Sequence, residues 1–258
     1  MIDVKAHGDA LFEALRTRTP ISPLKARFPS LDIETAYAIQ RRFIDRRLGL
    51  GERIIGKKIG VTSLAVQRFL DVHQPDFGVL TDAMHLEDGA VIPASRTLIA
   101  PKCEGEVAFR LAADLRGPGI TADDVLGAID YAVPCFEIVD SRIRDWKIRI
   151  EDTIADNASC GVFVTSKTRL SAHDIDWVHT PLTVSKNGAP LSSGTGEFAL
   201  GSPLICVAWL ANTLGALGVP LLKGELILSG SLVALEPALP GDSFQLSFAG
   251  AECRVSFD

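Results

Sequence analysis

Apolar positions along the chain change their spacing near residue 53. Before that point they recur at helical intervals. Over residues 3–18, Leu11, Ala14 and Leu15 fall on one face of a short helix. Pro20, Pro23 and Pro29 then break the chain into a loop. Asp32 is placed to cap a second helix with the stripe Ile33, Ala36, Tyr37, Phe43, Ile44 and Leu48, and Gly49 to stop it. The two helices predict a small N-terminal helical unit over residues 1–52.

From residue 53 the apolar runs are short and rich in β-formers. Residues 54–61 predict a strand flanked by glycines, and residues 63–72 a short helix with Val66, Phe69 and Leu70 inward. Gln74-Pro75-Asp76-Phe77-Gly78 reads as a turn or loop. Residues 91–93 and 98–99 lead to 101–111, where alternating Val107, Phe109 and Leu111 predict a strand. After a turn at Gly117-Pro118-Gly119, Thr121 and Asp124 open a helix expected to bury Val125, Leu126, Ile129 and Val133 and to end at Pro134, before a strand at 135–139. Residues 140–156 are too charged for a buried strand and predict an ordered loop with a short helix; 161–164 return to the sheet. Lys186-Asn187-Gly188 predicts a hairpin turn. Ser202 and Pro203 open a helix that Gly218 closes, and 225–235 and 244–257 supply closing strands, the last pair turning near Gly250. Strands outnumber helices after residue 53, and few are spaced for βαβ crossovers. The expected class is therefore α+β: the helical unit, then a mixed β-sheet roll or barrel over residues 53–258.

Composition narrows the function. At 258 residues, 47% hydrophobic and 22% charged, the chain can bury a substantial core. A net charge of -6 without a long basic run argues against nucleic acid. The longest apolar run, over residues 204–211, is too short to span a bilayer, and the polar start after Met1 is unlike a signal peptide; the expected location is the cytoplasm. Five scattered cysteines (Cys103, Cys135, Cys160, Cys206, Cys253) form no C-x-x-C pair and read as reduced core residues.

Candidate chemistry centres on Glu104-Gly105-Glu106. On a strand, residues two apart share a face, so the two carboxylates stand side by side, and Gly105 leaves room for another segment on the opposite face. An isolated E-x-E pair fits a solvated strand face. That is the first reading; with further support the pair is one in which one acid holds a proton or a hard divalent cation such as Mg2+ or Mn2+ sits between them. Glu137, between Phe136 and Ile138, needs a partner if buried. It can join Glu104 and Glu106, or pair with Arg142 or Arg144. Strand alternation sends Lys57 and Lys58 to opposite faces, one solvated and one able to meet the carboxylates or a developing enolate. Asp76 reads as a turn carboxylate or a general base. His73 and His85 lack a second histidine at ligand spacing, and Ser159 lacks both an adjacent base and a G-x-S-x-G elbow.

Taken together, Gly56-Lys57-Lys58-Ile59-Gly60-Val61-Thr62-Ser63, Gln74-Pro75-Asp76-Phe77-Gly78, Glu104-Gly105-Glu106, Phe136-Glu137-Ile138-Val139-Asp140-Ser141-Arg142, Asp156-Asn157-Ala158-Ser159-Cys160-Gly161 and Leu228-Ser229-Gly230-Ser231 resemble the 2-keto-4-pentenoate hydratases. These form part of the hydratase/decarboxylase branch of the fumarylacetoacetate hydrolase-like superfamily. The likeness runs in order through nearly the whole chain. It implies the superfamily's C-terminal β-roll and a divalent ion, Mg2+ or Mn2+, on Glu104, Glu106 and Glu137. It further implies catalytic roles for Lys58 and Asp76, and a substrate contact from Ser159. The implied reaction is hydration of 2-hydroxypenta-2,4-dienoate to 4-hydroxy-2-oxopentanoate in aromatic meta-cleavage. The implied assembly is a homo-oligomer, with a possible complex with a related decarboxylase or the downstream aldolase. Decarboxylation of 2-oxohex-3-enedioate is the alternative within the branch, and an acid at position 76 is ill-suited to it beside a departing carboxylate. A non-catalytic scaffold is the third reading, and it gives no reason to keep these residues together.

Overall fold

The computed structural model describes residues 2–258, apart from the side chains of Ala65, Phe69 and Leu70, so the expected inward packing of Phe69 and Leu70 lies outside the described residues. Helix α1 (Val4–Thr17) starts where the Asp3 carboxylate accepts from Ala6 N at 2.9 Å. A single turn, α2 (Leu24–Arg27), lies among the prolines expected to form only loop. Helix α3 (Ile33–Leu48) is capped by Asp32, which accepts from Thr35 N at 2.8 Å, and Gly49 follows it. Leu11, Phe12, Ile39 and Phe43 form a core that continues into Ile143, Ile150 and Ile154.

Then follow β1 (Ile54–Gly60), α4 (Leu64–Leu70), β2 (Asp76–Thr81), β3 (His85–Glu87), β4 (Ala90–Ile92), α5 (Ala94–Thr97) and β5 (Lys102–Leu111). The Gln74–Gly78 segment, expected as a turn, instead opens β2. Asp76 pairs with Gly60 at the end of an antiparallel ladder, and Gln74 and Pro75, the proline without an N–H to give, stay outside it.

Helix α6 (Ala122–Ala128) keeps the expected Thr121–Asp124 cap but stops early, and β6 (Ile129–Val139) absorbs Ile129, Val133 and Pro134. Pairing along the whole of β5 outweighs the proline. Its carbonyl accepts from Ser166 N at 3.0 Å just past the last β6–β7 pair, so its missing N–H falls where that ladder ends. After α7 (Ile150–Ala155) come β7 (Cys160–Thr165), the hairpin β8 (Leu182–Lys186) and β9 (Ala189–Gly194), and α8 (Pro203–Ala216). Short strands β10 (Leu226–Leu228) and β11 (Glu236–Pro237) precede the closing pair β12 (Ser243–Phe248) and β13 (Ala251–Phe257).

The strands form two mixed sheets. One runs β2-β1-β10-β5-β6-β7-β3 with β11 also on β5; the other runs β4-β13-β12-β8-β9. Phe136 from the first meets Phe244 from the second at 6.2 Å between rings, edge to face. The sheets approach closely at Gly105, where a Cβ would lie 3.0 Å from Leu182 and Leu246 and 3.1 Å from Val184. The α+β roll expected from the strand pattern is thus present, as two packed sheets. Segment Gly196–Ala216 is long and apolar enough to cross a bilayer on composition, but more than half of it is buried in the protein, with Leu204, Val207, Leu210 and Leu214 of α8 in the core. The five cysteines are buried and unpaired.

Arg142, fully buried, ties the end of β6 to the start of β7. It pairs with Asp156 (Nε to Oδ1, 2.5 Å), donates from Nη1 to Cys160 O at 2.9 Å, and also reaches the carbonyls of Asp140 and Asp156. Helix α3 lays Phe43 against this guanidinium. Arg142 is therefore committed to Asp156, and the ion pair with Glu137 considered from spacing does not form. Replacing Arg142 by Met strands the Asp156 charge in the interior and is expected to cost about 3–5 kcal/mol. Urea unfolding monitored by tryptophan fluorescence measures it, and the double change Arg142→Met with Asp156→Leu should recover much of the loss.

Candidate active site

Strands β5 and β6 pair Glu104 directly with Glu137, and Glu106 stands two residues along the same face of β5. One carboxylate oxygen from each of the three lies within 4.8 Å of the others. Glu106 and Glu137 are fully buried, whereas Glu104 keeps partial exposure to the adjoining cavity. Glu106 Oε2 accepts from Gly230 N at 2.9 Å, in the Leu228–Ser231 segment after β10. Glu106 Oε1 and both oxygens of Glu137 receive no hydrogen bond. A buried acceptor without a hydrogen bond is costly, and a cation among the three clustered carboxylates could satisfy such atoms.

Lys58 brings a positive charge beside them, its Nζ 3.1 Å from Glu137 Oε1. Burial works against the ammonium, but Glu137 and then Asp76 outweigh it and hold the lysine pKa above its usual value. The neighbouring Lys57 is not solvated, contrary to expectation. It turns to the other face of β1 and closes on Glu225, with Nζ 2.5 and 2.7 Å from the two oxygens, because β10 pairs with β1 and the residue just before it is that glutamate.

Asp76 joins the site from the start of β2. Its Oδ2 accepts from Thr153 Oγ1 at 2.7 Å, while Oδ1 is buried with no partner. Gly60, its cross-strand neighbour, leaves the space that Asp76 Oδ1 occupies, and a Cβ there would also come 3.3 Å from Lys58 Nζ. Acid and ammonium therefore converge over one glycine. Burial pushes the Asp76 pKa up, and Lys58 and Thr153 only partly oppose it. Behind β2, Tyr37 stacks on Phe77 at 4.3 Å and Gln40 Nε2 donates to Phe77 O at 2.8 Å and Ile154 O at 3.1 Å.

Ser159 reaches the cavity through a left-handed turn, with φ of 55°, 50° and 53° at Asn157, Ala158 and Ser159. Such backbone costs roughly 1–2 kcal/mol per residue. It is offset by the Asn157 amide, which pairs with Val79 like a strand: Val79 N to Oδ1 at 2.8 Å and Nδ2 to Val79 O at 2.9 Å. The Ser159 hydroxyl is 3.5 Å from Asp156 Oδ2, an oxygen already bound by Arg142 N, so it is not activated as a nucleophile.

All six residues singled out from sequence thus meet at one place. Lys58, Asp76, Glu104 and Ser159 line a cavity of about 600 Å³, with Glu106 and Glu137 directly behind Glu104. Its remaining wall is largely apolar, with Val66, Ile148, Phe198 and Leu235. Sequence reasoning missed Thr153, whose α7 position carries no motif, and Lys102, which strand alternation alone puts on the face of Glu104. It also missed Trp146, a lone aromatic in a charged loop.

The model of the fumarylacetoacetate (FAA) hydrolase C-terminal family matches residues 55–255. The chain belongs to this family. Within it, the chain is 51% identical over 256 residues to a 2-hydroxyhexa-2,4-dienoate hydratase of Comamonas testosteroni, covering 98% of this chain and 97% of the relative. It is 56% identical over 212 residues to a 2-hydroxypent-2,4-dienoate hydratase of Pseudomonas putida, covering 82% and 96%. Among solved structures, a 4-oxalocrotonate decarboxylase of Pseudomonas putida complexed with magnesium and adipate superposes with a TM-score of 0.95 at 33% identity, over 99% of this chain and 97% of that one.

Burial, then Glu137, raises the Glu104 pKa from 4.5 to about 7, and burial with both other glutamates raises that of Glu106 well above the usual range. An acid whose pKa is higher folded than unfolded binds more protons in the native state. Its stabilising contribution is full below the unfolded value and is lost as pH rises through the folded one. Chelator-treated protein of this hydrolase family member should therefore lose stability as pH rises from about 4.5 to about 7. Glu104→Gln should flatten that slope in thermal melts; an identical slope in both proteins would refute the assignment.

Proposed function

We propose that the protein is a hydro-lyase that adds water to 2-hydroxypenta-2,4-dienoate to give 4-hydroxy-2-oxopentanoate, within aromatic meta-cleavage degradation. The observation that carries this reading is the cluster of Glu104, Glu106 and Glu137, with oxygens on Glu106 and Glu137 that accept no hydrogen bond, beside a cavity that also holds Lys58 and Asp76. Two hydratases at 51% and 56% identity support hydration over decarboxylation, the reaction of the structural neighbour at 33%.

The donor set fits a hard divalent ion: three carboxylates, no sulfur or imidazole among them, one oxygen from each within 4.8 Å of the others, and oxygens on Glu106 and Glu137 that accept no hydrogen bond. Mg2+ or Mn2+ held by Glu104, Glu106 and Glu137 would polarise the 1-carboxylate and 2-oxygen of the substrate as a Lewis acid. Lys58, buried and kept protonated, faces the negative charge that gathers on the 2-oxygen when the dienol is converted to its keto form and again when water adds. Asp76, whose raised pKa favours the neutral acid, is suited to deliver a proton from Oδ1 to C5. The product of that step is an unsaturated ketone, electrophilic at C4. The resulting Asp76 carboxylate then takes a proton from the water whose oxygen bonds to C4. The proton released from the 2-hydroxyl balances the one C3 takes up, so the sum is one water added. Thr153 fixes Oδ2 and leaves Oδ1 free for this work. Ser159 offers its hydroxyl to the substrate from the cavity wall.

The exposed Leu217, Val219 and Leu222 after α8 offer apolar area for the proposed homo-oligomer, and for a complex with a related decarboxylase or the downstream aldolase. The cytoplasm is the proposed location.

Following the ultraviolet absorbance of the conjugated dienoate tests the reading. Glu106→Gln should abolish both turnover and the rise in melting temperature on adding Mg2+ or Mn2+; turnover surviving in that variant after chelation would end the proposal. Asp76→Asn should lower kcat by about 10²–10⁴-fold while keeping the metal-induced rise. Carbon dioxide release from 2-oxohex-3-enedioate at a rate exceeding hydration would reassign the protein as a decarboxylase.

A further inference from the structure

Four charged side chains line the cavity: Lys58, Asp76, Lys102 and Glu104. Three are committed. Lys58 serves Glu137, Asp76 is held by Thr153 and faces Lys58, and Glu104 belongs to the glutamate cluster. Lys102 is different. It is the first residue of β5 and shares the strand face of Glu104 and Glu106, yet among the described residues no carboxylate lies within 4.0 Å of it and no acceptor takes its protons. The other partly or fully buried lysines are all paired: Lys25 with Glu151, Lys57 with Glu225, Lys58 with Glu137, and Lys186 with Glu236 and Asp242.

Its ammonium instead lies over the indole of Trp146, 4.3 Å from the ring centroid. That ring is itself pinned, since Trp146 Nε1 donates to Ala100 O at 2.9 Å, two residues before Lys102 on the same chain segment. An aromatic face attracts a cation without neutralising it, so the full charge stays available on the side turned to the cavity. The ammonium has three N–H donors, and the ring faces only one side of it. The ring also removes much of the freedom a lysine would lose on binding.

We propose that Lys102, positioned by Trp146, is the residue that binds the carboxylate of the substrate and so selects α-oxo or 2-hydroxydienoic acids over their neutral analogues. The assignment rests on the hydratase reading above and adds the cation that recognises the acid. Lys102 lies one strand repeat beyond Glu104, which places an anion bound there beside the glutamate cluster with the rest of the molecule directed toward the apolar wall.

The test uses Lys102→Met and Lys102→Arg in the full chain with Mg2+. Binding of 2-oxopentanoate, a saturated acid that cannot be hydrated, is measured by calorimetry, and KM and kcat are measured for the dienoate. Lys102→Met should weaken 2-oxopentanoate binding and raise KM by about 10–100-fold, as expected for a lost charge-assisted contact, with kcat changed less than about threefold. The Mg2+-induced rise in melting temperature should be unaltered, Lys102→Arg should recover most of the affinity, and Trp146→Leu should raise KM in the same direction. Wild-type affinity in Lys102→Met, or a loss confined to kcat, would overturn the assignment while leaving the hydratase reading intact. A wild-type protein that neither binds 2-oxopentanoate nor consumes the dienoate would instead remove that reading and this one with it.

Discussion

Mutual repulsion among Glu104, Glu106 and Glu137 is the constraint to which the rest of the structure answers. At separations near 4 Å and a screened protein interior, two unit charges repel by about 4 kcal/mol, comparable with a large part of a domain's net stability. The register of β5 against β6 nevertheless sets Glu104 opposite Glu137, and the packing of the second sheet against Gly105 holds that register in place. Lys58 relieves only part of the strain. The surroundings are built to tolerate a deficit of positive charge that a bound ion would fill, and on Glu106 a raised acid pKa and an oxygen without a hydrogen bond coincide.

Much of this was legible in the sequence because the decisive residues sit on regular elements. Alternation along β5 puts Glu104 and Glu106 on one face whatever the tertiary fold, and Asp32, Thr121 and Ser202 cap helices through purely local bonds. The errors came where distant pairing overrides local preference. Pro134 argues for a break, yet β6 runs through it because β5 offers a continuous partner. Pro75-Asp76 resembles a turn, yet Asp76 completes the β1–β2 ladder. Lys57 looked solvated because nothing nearby in sequence hints that Glu225 will be carried beside it on the chain leading into β10. Thr153 had no signal at all, since its role comes only from meeting Asp76 across the cavity.

The Asn157–Ser159 turn shows how the chain spends stability on geometry. Three consecutive non-glycine residues in left-handed backbone are unfavourable in isolation, and strain of this kind gathers at sites where it sets direction. Here Asn157 borrows the hydrogen bonds of a missing strand beside Val79, while Asp156 at its root is clamped by Arg142. The turn is over-determined at both sides, and Ser159 inherits a fixed position without a helix or strand of its own.

The N-terminal helices never touch the cavity, yet Gln40 and Tyr37 of α3 back the strand that carries Asp76, and Phe43 covers Arg142. The first fifty residues are thus the rear mould of a site whose front is made almost entirely by later chain. Grafting those helices from another branch of the family would import a different casting behind an unchanged set of acids. Changes at positions such as 37, 40 and 43 are then tied to changes in β2 and α7, although no described residue of the helical segment lines the cavity.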